Sequence, residues 1–141
     1  MRNAVVVDSG PLLALFDRDD RYHVRVKQIL ERNPGLALYT TWPVLTETSA
    51  LLASRVGKAT EIEFLDWVTS GAVRVGALDN ADLESMLGLI RKYHDLPFDF
   101  ADTSVAVLAA TLGVTSILSV DKDFDVYRAA SGRPLRNLLK R

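Results

Sequence analysis

With 141 residues, a mass of 15.6 kDa and 48% apolar side chains, the chain suits one domain with a sizeable core; having no cysteine, it can hold no disulfide, thiolate nucleophile or cysteine-based zinc site. Its longest apolar runs fall far short of a membrane span, and the opening MRNAVVVDSGP reaches a polar turn too early for a signal peptide, so a cytoplasmic protein with no membrane partner is expected. The net charge of −1 hides an asymmetry: residues 126–141 carry five basic side chains (Arg128, Arg133, Arg136, Lys140, Arg141) and no acid, leaving 12 basic against 18 acidic groups, or −6, before this basic tail.

Residues 4–7 form a short aliphatic strand that ends on Asp8, and Ser9-Gly10-Pro11 then start a helix through Phe16, with Ser9 as its cap and Pro11 in the first turn. A charged turn over 17–21 leads to a second helix over 22–33, whose apolar side draws on Val24, Ile29 and Leu30, and Pro34-Gly35 end it. Residues 36–39 are the second strand. After Thr40-Thr41 comes a helix to about Arg55, with Pro43 in its first turn and Glu47 bordering the stripe made by Val44 and Leu51. Gly57 breaks the chain. An amphipathic helix over 59–69 uses Ile62, Leu65 and Trp67 or Val68, residues 72–78 read as strand, and Asp79 or Asn80 caps a helix to about Tyr93.

The stretch 97–123, PFDFADTSVAVLAATLGVTSILSVDKD, carries the most chemistry. Asp99 caps a helix to Leu112, Gly113 stops it, and residues 114–120 form a buried strand that ends at Asp121 and Asp123. Across so tight a turn, helix and strand run antiparallel, which places Asp99, Asp102, Asp121 and Asp123 at one edge. Asp102 shares its helical face with Val105, Ala109 and Leu112, so its carboxylate lies on the packing side, where charge is costly unless compensated. A capping role for Asp99 and Asp102 is the plain structural reading.

Strands alternating with helices of ten or more residues give an α/β layered domain around a largely parallel sheet of roughly four strands. Ligands of such sheets bind beyond the carboxyl ends of the strands. Asp8 follows the first strand, Glu47 lies early in the helix after the second, Asp102 starts the helix entering the last strand, and Asp121 follows that strand. All four fall at one edge. Carboxylates crowded without Lys or Arg repel, and a divalent cation removes the conflict. Hard oxygen donors favour magnesium or manganese over zinc or copper, and such an ion can activate water for an in-line phosphoryl displacement. Ser9 would orient the Asp8 carboxylate or a water at the ion, a role compatible with capping. His23 at a helix start and His94 in a polar turn read as solvated rather than catalytic, and Trp42, Trp67 and the tyrosines as core or interface residues rather than base-stacking platforms.

The segments VVVDSGPLLALFDRDDRYH, TTWPVLTETSALL, LPFDFADTSVAVLAATLGV and ILSVDKDF, collinear from about residue 4 to 125, resemble the PIN-domain proteins, most closely the VapC-type toxins of bacterial and archaeal toxin–antitoxin pairs. The resemblance implies an acidic constellation of Asp8, Glu47, Asp102 and Asp121 around magnesium or manganese, with Asp99 and Asp123 as auxiliaries. It implies a single three-layer α/β/α domain with a mostly parallel sheet, an endoribonuclease acting on RNA, a homodimer, and a small antitoxin wrapped around the first helices. Ser119 stands where the family often has Thr. Hydrolysis by activated water is expected, with Glu47 or Asp121 orienting or deprotonating it. The alternatives are a silent partner- or RNA-binding module whose acidic pocket holds metal for structure only, and a phosphatase with Asp8 as nucleophile. The haloacid-dehalogenase-like pattern for the latter wants an aspartate at residue 10, where this chain has Gly10.

Overall fold

The computed structural model describes residues 3–121, 124 and 134–139. The elements in chain order are β1 (Ala4–Val7), α1 (Ser9–Phe16), α2 (His23–Arg32), β2 (Ala37–Thr40), α3 (Trp42–Arg55), α4 (Lys58–Thr69), β3 (Arg74–Val75), α5 (Asn80–Lys92), α6 (Phe100–Leu112), β4 (Ser116–Leu118) and β5 (Arg136–Asn137). The strands form one parallel sheet in the order β3-β2-β1-β4-β5, five strands rather than about four.

β1 is the centre of this sheet because all four of its residues are apolar and buried, which requires cover on both faces. Val6 pairs with Tyr39 of β2 on one side and with Ile117 of β4 on the other. The chain order thus reverses at β1, and in sheets of this kind such a switch point, beyond the ends of β1 and β4, is where ligands bind. Helices α1, α3 and α6 pack side by side, α3 touching both α1 and α6, while α6 packs on β1. From Ala101 to Ala109 every residue of α6 is buried, so this helix is core on all sides. Its exit is sharp because Gly113 adopts φ 69°, a left-handed conformation open to glycine, and Val114 N–H returns to Ala109 O at 2.8 Å.

Several expectations change. The extended runs 72–78 and 114–120 pair only at Arg74–Val75 and Ser116–Leu118. Around β4 the remaining backbone groups bond elsewhere: Ser119 N–H reaches Asn137 Oδ1 and Asp121 N–H reaches Ser119 Oγ. In α2 the deeply buried residue is Val26, whereas Val24 is exposed. At 3.6 residues per turn Val26, Ile29 and Leu30 share an arc of about 100°, with Val24 opposite. Helix α4 likewise anchors through Phe64, whose ring meets Phe16 edge-on at 5.4 Å, and leaves Ile62 and Leu65 exposed. Trp67 belongs to the same ring cluster, 5.3 Å from Phe16, but Trp42 is 65% exposed and is not a core residue.

Of the basic tail, Arg128, Arg133, Lys140 and Arg141 lie outside the described residues. Residues 136–139 are part of the fold: Arg136 N–H bonds Thr115 O at 2.8 Å, Leu138 N–H bonds Ile117 O at 2.9 Å, and Leu139 is buried. Among the described residues no helix is long and apolar enough to cross a membrane.

Candidate active site

Asp8 is the first polar residue after β1, and its backbone N–H continues the ladder to Leu118 O at 2.9 Å. Its side chain is therefore fixed at the strand end, with only 3% of the residue exposed. Asp8, not Ser9, caps α1: Oδ1 accepts Ser9 N–H at 2.8 Å, while Oδ2 accepts the Ser119 hydroxyl at 3.0 Å. Ser9 is instead the first helical residue, and its hydroxyl donates to Glu47 Oε1 on α3. It thus touches Asp8 through its amide and Glu47 through its hydroxyl.

The N-terminal end of α3 is set by two threonines. Thr40 Oγ1 donates to Val7 O at 2.8 Å, holding the carbonyl just before Asp8. Thr41 caps α3, and its Oγ1 lies 2.7 Å from Ser104 Oγ in the first turns of α6. Both threonines and Ser104 are buried, so this link between β1, α3 and α6 is dry and its geometry stiff. The expected capping box of α6 is present. Asp102 N–H bonds Asp99 Oδ1 at 3.0 Å and Asp99 N–H bonds Asp102 Oδ2 at 3.1 Å. Asp99 is exposed and Asp102 only 8% so, which leaves Asp99 the cap and Asp102 the carboxylate turned inward.

The electrostatics follow from this burial. Desolvation is the main cause that pushes the Asp8 carboxyl up to about 6, against the Ser9 and Ser119 hydrogen bonds that lower it, with Asp121 and Glu47 adding repulsion. Desolvation again, then the charges of Asp8 and Asp99, push Asp102 up to about 9, and Asp121 contributes. Asp8, Glu47, Asp99, Asp102 and Asp121 thus interact electrostatically at one edge, while Asp123 lies outside the described residues. Among the described residues no three His, Asp or Glu side chains already stand where they could hold one ion. The donors around Asp8 and Asp102 are hard oxygens, buried where the ionised forms are disfavoured. That chemistry suits a divalent cation that keeps several waters and takes one or two carboxylates directly. The helix N-termini of α1 and α6 open at the same edge and bring their positive dipole ends there.

His23 is half-buried, and its Nδ1 lies 2.7 Å from Ala14 O, joining α2 to α1 rather than meeting solvent; His94 is exposed, with Nε2 3.2 Å from Asp95. Sequence reading gave no role to Thr41, Ser104 or Asn137 and little to Ser119. Ser119 had a faint signal, a hydroxyl two residues before Asp121 at a strand end. Asn137 had none, since no local pattern marks a two-residue edge strand.

The PIN-domain family model matches residues 5–130. Ribonuclease VapC26 of Mycobacterium tuberculosis (strain ATCC 25618 / H37Rv) is 29% identical over 129 residues, covering 91% of this chain and 95% of that protein. The crystal structure of M. tuberculosis VapC20, a Sarcin-Ricin loop cleaving toxin, superposes with a TM-score of 0.80 at 22% identity over 86% of this chain and 93% of that one. VapBC2 from Rickettsia felis, bound to a DNA fragment from its promoter, gives a TM-score of 0.60 at 13% identity, covering 86% and 90%. A parallel sheet reversing at β1, an acidic edge beyond it and a family match over most of the length agree: the chain belongs to the PIN-domain family.

Proposed function

We propose that this protein is a divalent-metal-dependent endoribonuclease, the toxin of a VapBC-type pair, acting in the cytoplasm on RNA and held in check by a small antitoxin. The observation that carries the reading is the pair Asp8 and Asp102, two carboxylates buried at the ends of β1 and the start of α6 and destabilised as anions by their surroundings. The relative named Ribonuclease VapC26 supports the choice of RNA, and the likeness to VapBC2 supports an antitoxin partner. A homodimer accords with the family resemblance.

Asp8 and Asp102 would hold the ion, Asp121 and Glu47 would stand beside it, and Asp99 and Asp123 would assist. Magnesium or manganese bound there supplies Lewis acidity, making water more acidic and offsetting charge on the phosphorane. The chain's own groups do the rest. Asp8 is oriented by the Ser9 amide and the Ser119 hydroxyl, which fix the direction of its carboxylate. Glu47, steered by the Ser9 hydroxyl, or Asp121 accepts the proton from the attacking water. The N-termini of α1 and α6 favour a phosphate at this edge.

A second reading is favoured by one observation, that no three described carboxylates yet form a closed ligand set: a module that binds RNA or a partner without cutting. Incubation of the protein with an RNA panel, with magnesium or manganese and with excess chelator, separates the two. Cleavage in metal that stops in chelator supports the nuclease; full activity in chelator, or in Asp8→Asn or Asp102→Asn, contradicts it.

A further inference from the structure

The geometry points to Asn137 as a positioning residue for the acidic edge, acting through Ser119. This inference rests on the metal-site reading above. Asn137 sits in β5, and its side-chain amide pairs with the Ser119 backbone in both directions. Oδ1 accepts Ser119 N–H at 3.2 Å, and Nδ2 donates to Ser119 O at 2.8 Å. A side-chain amide that answers both backbone groups of one residue mimics a neighbouring strand, so the ladder between β4 and β5 is extended by one residue where β5 itself turns away. The residue so held is the one whose hydroxyl donates to Asp8 Oδ2 at 3.0 Å and accepts Asp121 N–H at 2.9 Å.

Asn137 therefore fixes the backbone from which one hydroxyl reaches both the β1 and β4 acidic residues. Without that clamp, Ser119 is free to tilt at the end of β4, and the spacing of Asp8 and Asp121 is no longer set. Asn137 Oδ1 also accepts Leu139 N–H at 3.1 Å, and Leu139 O takes a bond from Arg25 Nη2 of α2, a residue remote from the acidic edge that touches neither Asn137 nor Ser119 through these bonds. Outer groups that orient metal-ligating carboxylates change affinity by about 10–100-fold when removed.

Calorimetric titration of Mn²⁺ into the folded, RNA-free protein reads this directly, with Asn137→Ala, Ser119→Ala, the double variant and Arg25→Ala alongside the parent. Asn137→Ala and Ser119→Ala are each expected to weaken Mn²⁺ binding about 10-fold. The double variant should bind within about threefold of Ser119→Ala, because both changes break one path. Arg25→Ala, which removes the bond to Leu139 O but leaves the Asn137–Ser119 pair, should bind as the parent does. If Asn137→Ala does not fold by circular dichroism, Asn137→Thr, a strand-compatible residue that cannot supply the amide pairing, takes its place under the same criterion. Parent-like binding in the Asn137 variant, or losses that multiply in the double variant, would overturn the proposal. Failure of the parent itself to bind Mn²⁺ would overturn the metal-site reading and this inference with it, whereas absence of RNA cleavage with Mn²⁺ still bound would count against the nuclease alone.

Discussion

The hydroxyl of Ser119 meets Asp8 Oδ2 at 3.0 Å across 111 residues of sequence, joining the ends of β1 and β4. Because the same oxygen accepts Asp121 N–H, one side chain relates two of the acidic positions.

Asp8→Asn and Asp102→Asn should each reduce RNA cleavage more than about 100-fold while the protein remains folded, since on the proposed reading each removes a charge that would hold the ion. Neutralising a carboxylate whose pKa is raised should also stabilise the metal-free protein above pH 7. For Asp8, lifted to about 6, the gain is of order 2–3 kcal/mol at 1.4 kcal/mol per pKa unit. Cleavage assays and thermal melts at pH 8 check both halves.

Metal-free stability should fall as pH rises. Asp8 keeps its proton in the folded state up to about 6 and loses it near 4 when unfolded, so between those values the native form binds more protons and stability drops by up to about 1.4 kcal/mol per pH unit. Asp102, lifted to about 9, extends the decline through neutrality. Melts in chelator from pH 4.5 to 9 should show this slope, and Asp102→Asn should flatten its upper part. A metal-free stability that rises over this range contradicts the assigned burial.

Manganese should reverse that trend, because it binds the ionised pair and therefore the folded state, more strongly at higher pH. At 100 times its dissociation constant it should add about 2.7 kcal/mol. Binding at pH 7 should release protons, measurable as a dependence of the binding heat on buffer ionisation enthalpy; no such dependence would count against a protonated Asp102.

Gly10→Ala tests how tightly the edge is packed. A Cβ there would lie 2.3 Å from Val120 Cγ2, so Val120 must shift, at a cost of about 1–3 kcal/mol, and it carries the adjoining Asp121 with it. Both melting temperature and turnover should drop. Gly113→Ala, strained by its φ of 69° at about 1–2 kcal/mol but at the opposite end of α6, should lower stability similarly and leave turnover of the folded protein unchanged.

Ser9→Ala separates capping from chemistry. The α1 cap is Asp8, so stability should change by less than about 0.5 kcal/mol, while release of Glu47 should cost about 10-fold in activity. A stability loss above about 1 kcal/mol, typical of a removed cap, would return Ser9 to the capping role expected from sequence.

The acidic edge was legible because its residues sit at chain positions with strong local signals: an aliphatic run closing on Asp8, a D-x-x-D box opening α6, and a glycine ending it. Topology then brought those positions together. The identity of the α1 cap was less legible, since Asp8 and Ser9 are both good caps and only the backbone turn decides between them. Val24, Ile62 and Leu65 were expected on the apolar sides of their helices, while the phase the fold adopts turns Val26 and Phe64 inward. β5 was hidden because two residues have no periodicity, and it lies within the stretch marked by charge as a basic tail. Trp42 was expected in the core or at an interface; as the first residue of α3, where the helix emerges, it holds no place in the core.

The central claim, that Asp8 and Asp102 share one cation, is tested most directly by anomalous diffraction from crystals grown with manganese. The account predicts a single strong peak within coordination distance, about 2.0–2.6 Å, of carboxylate oxygens from both residues. A peak elsewhere, or none at saturating manganese, would contradict it.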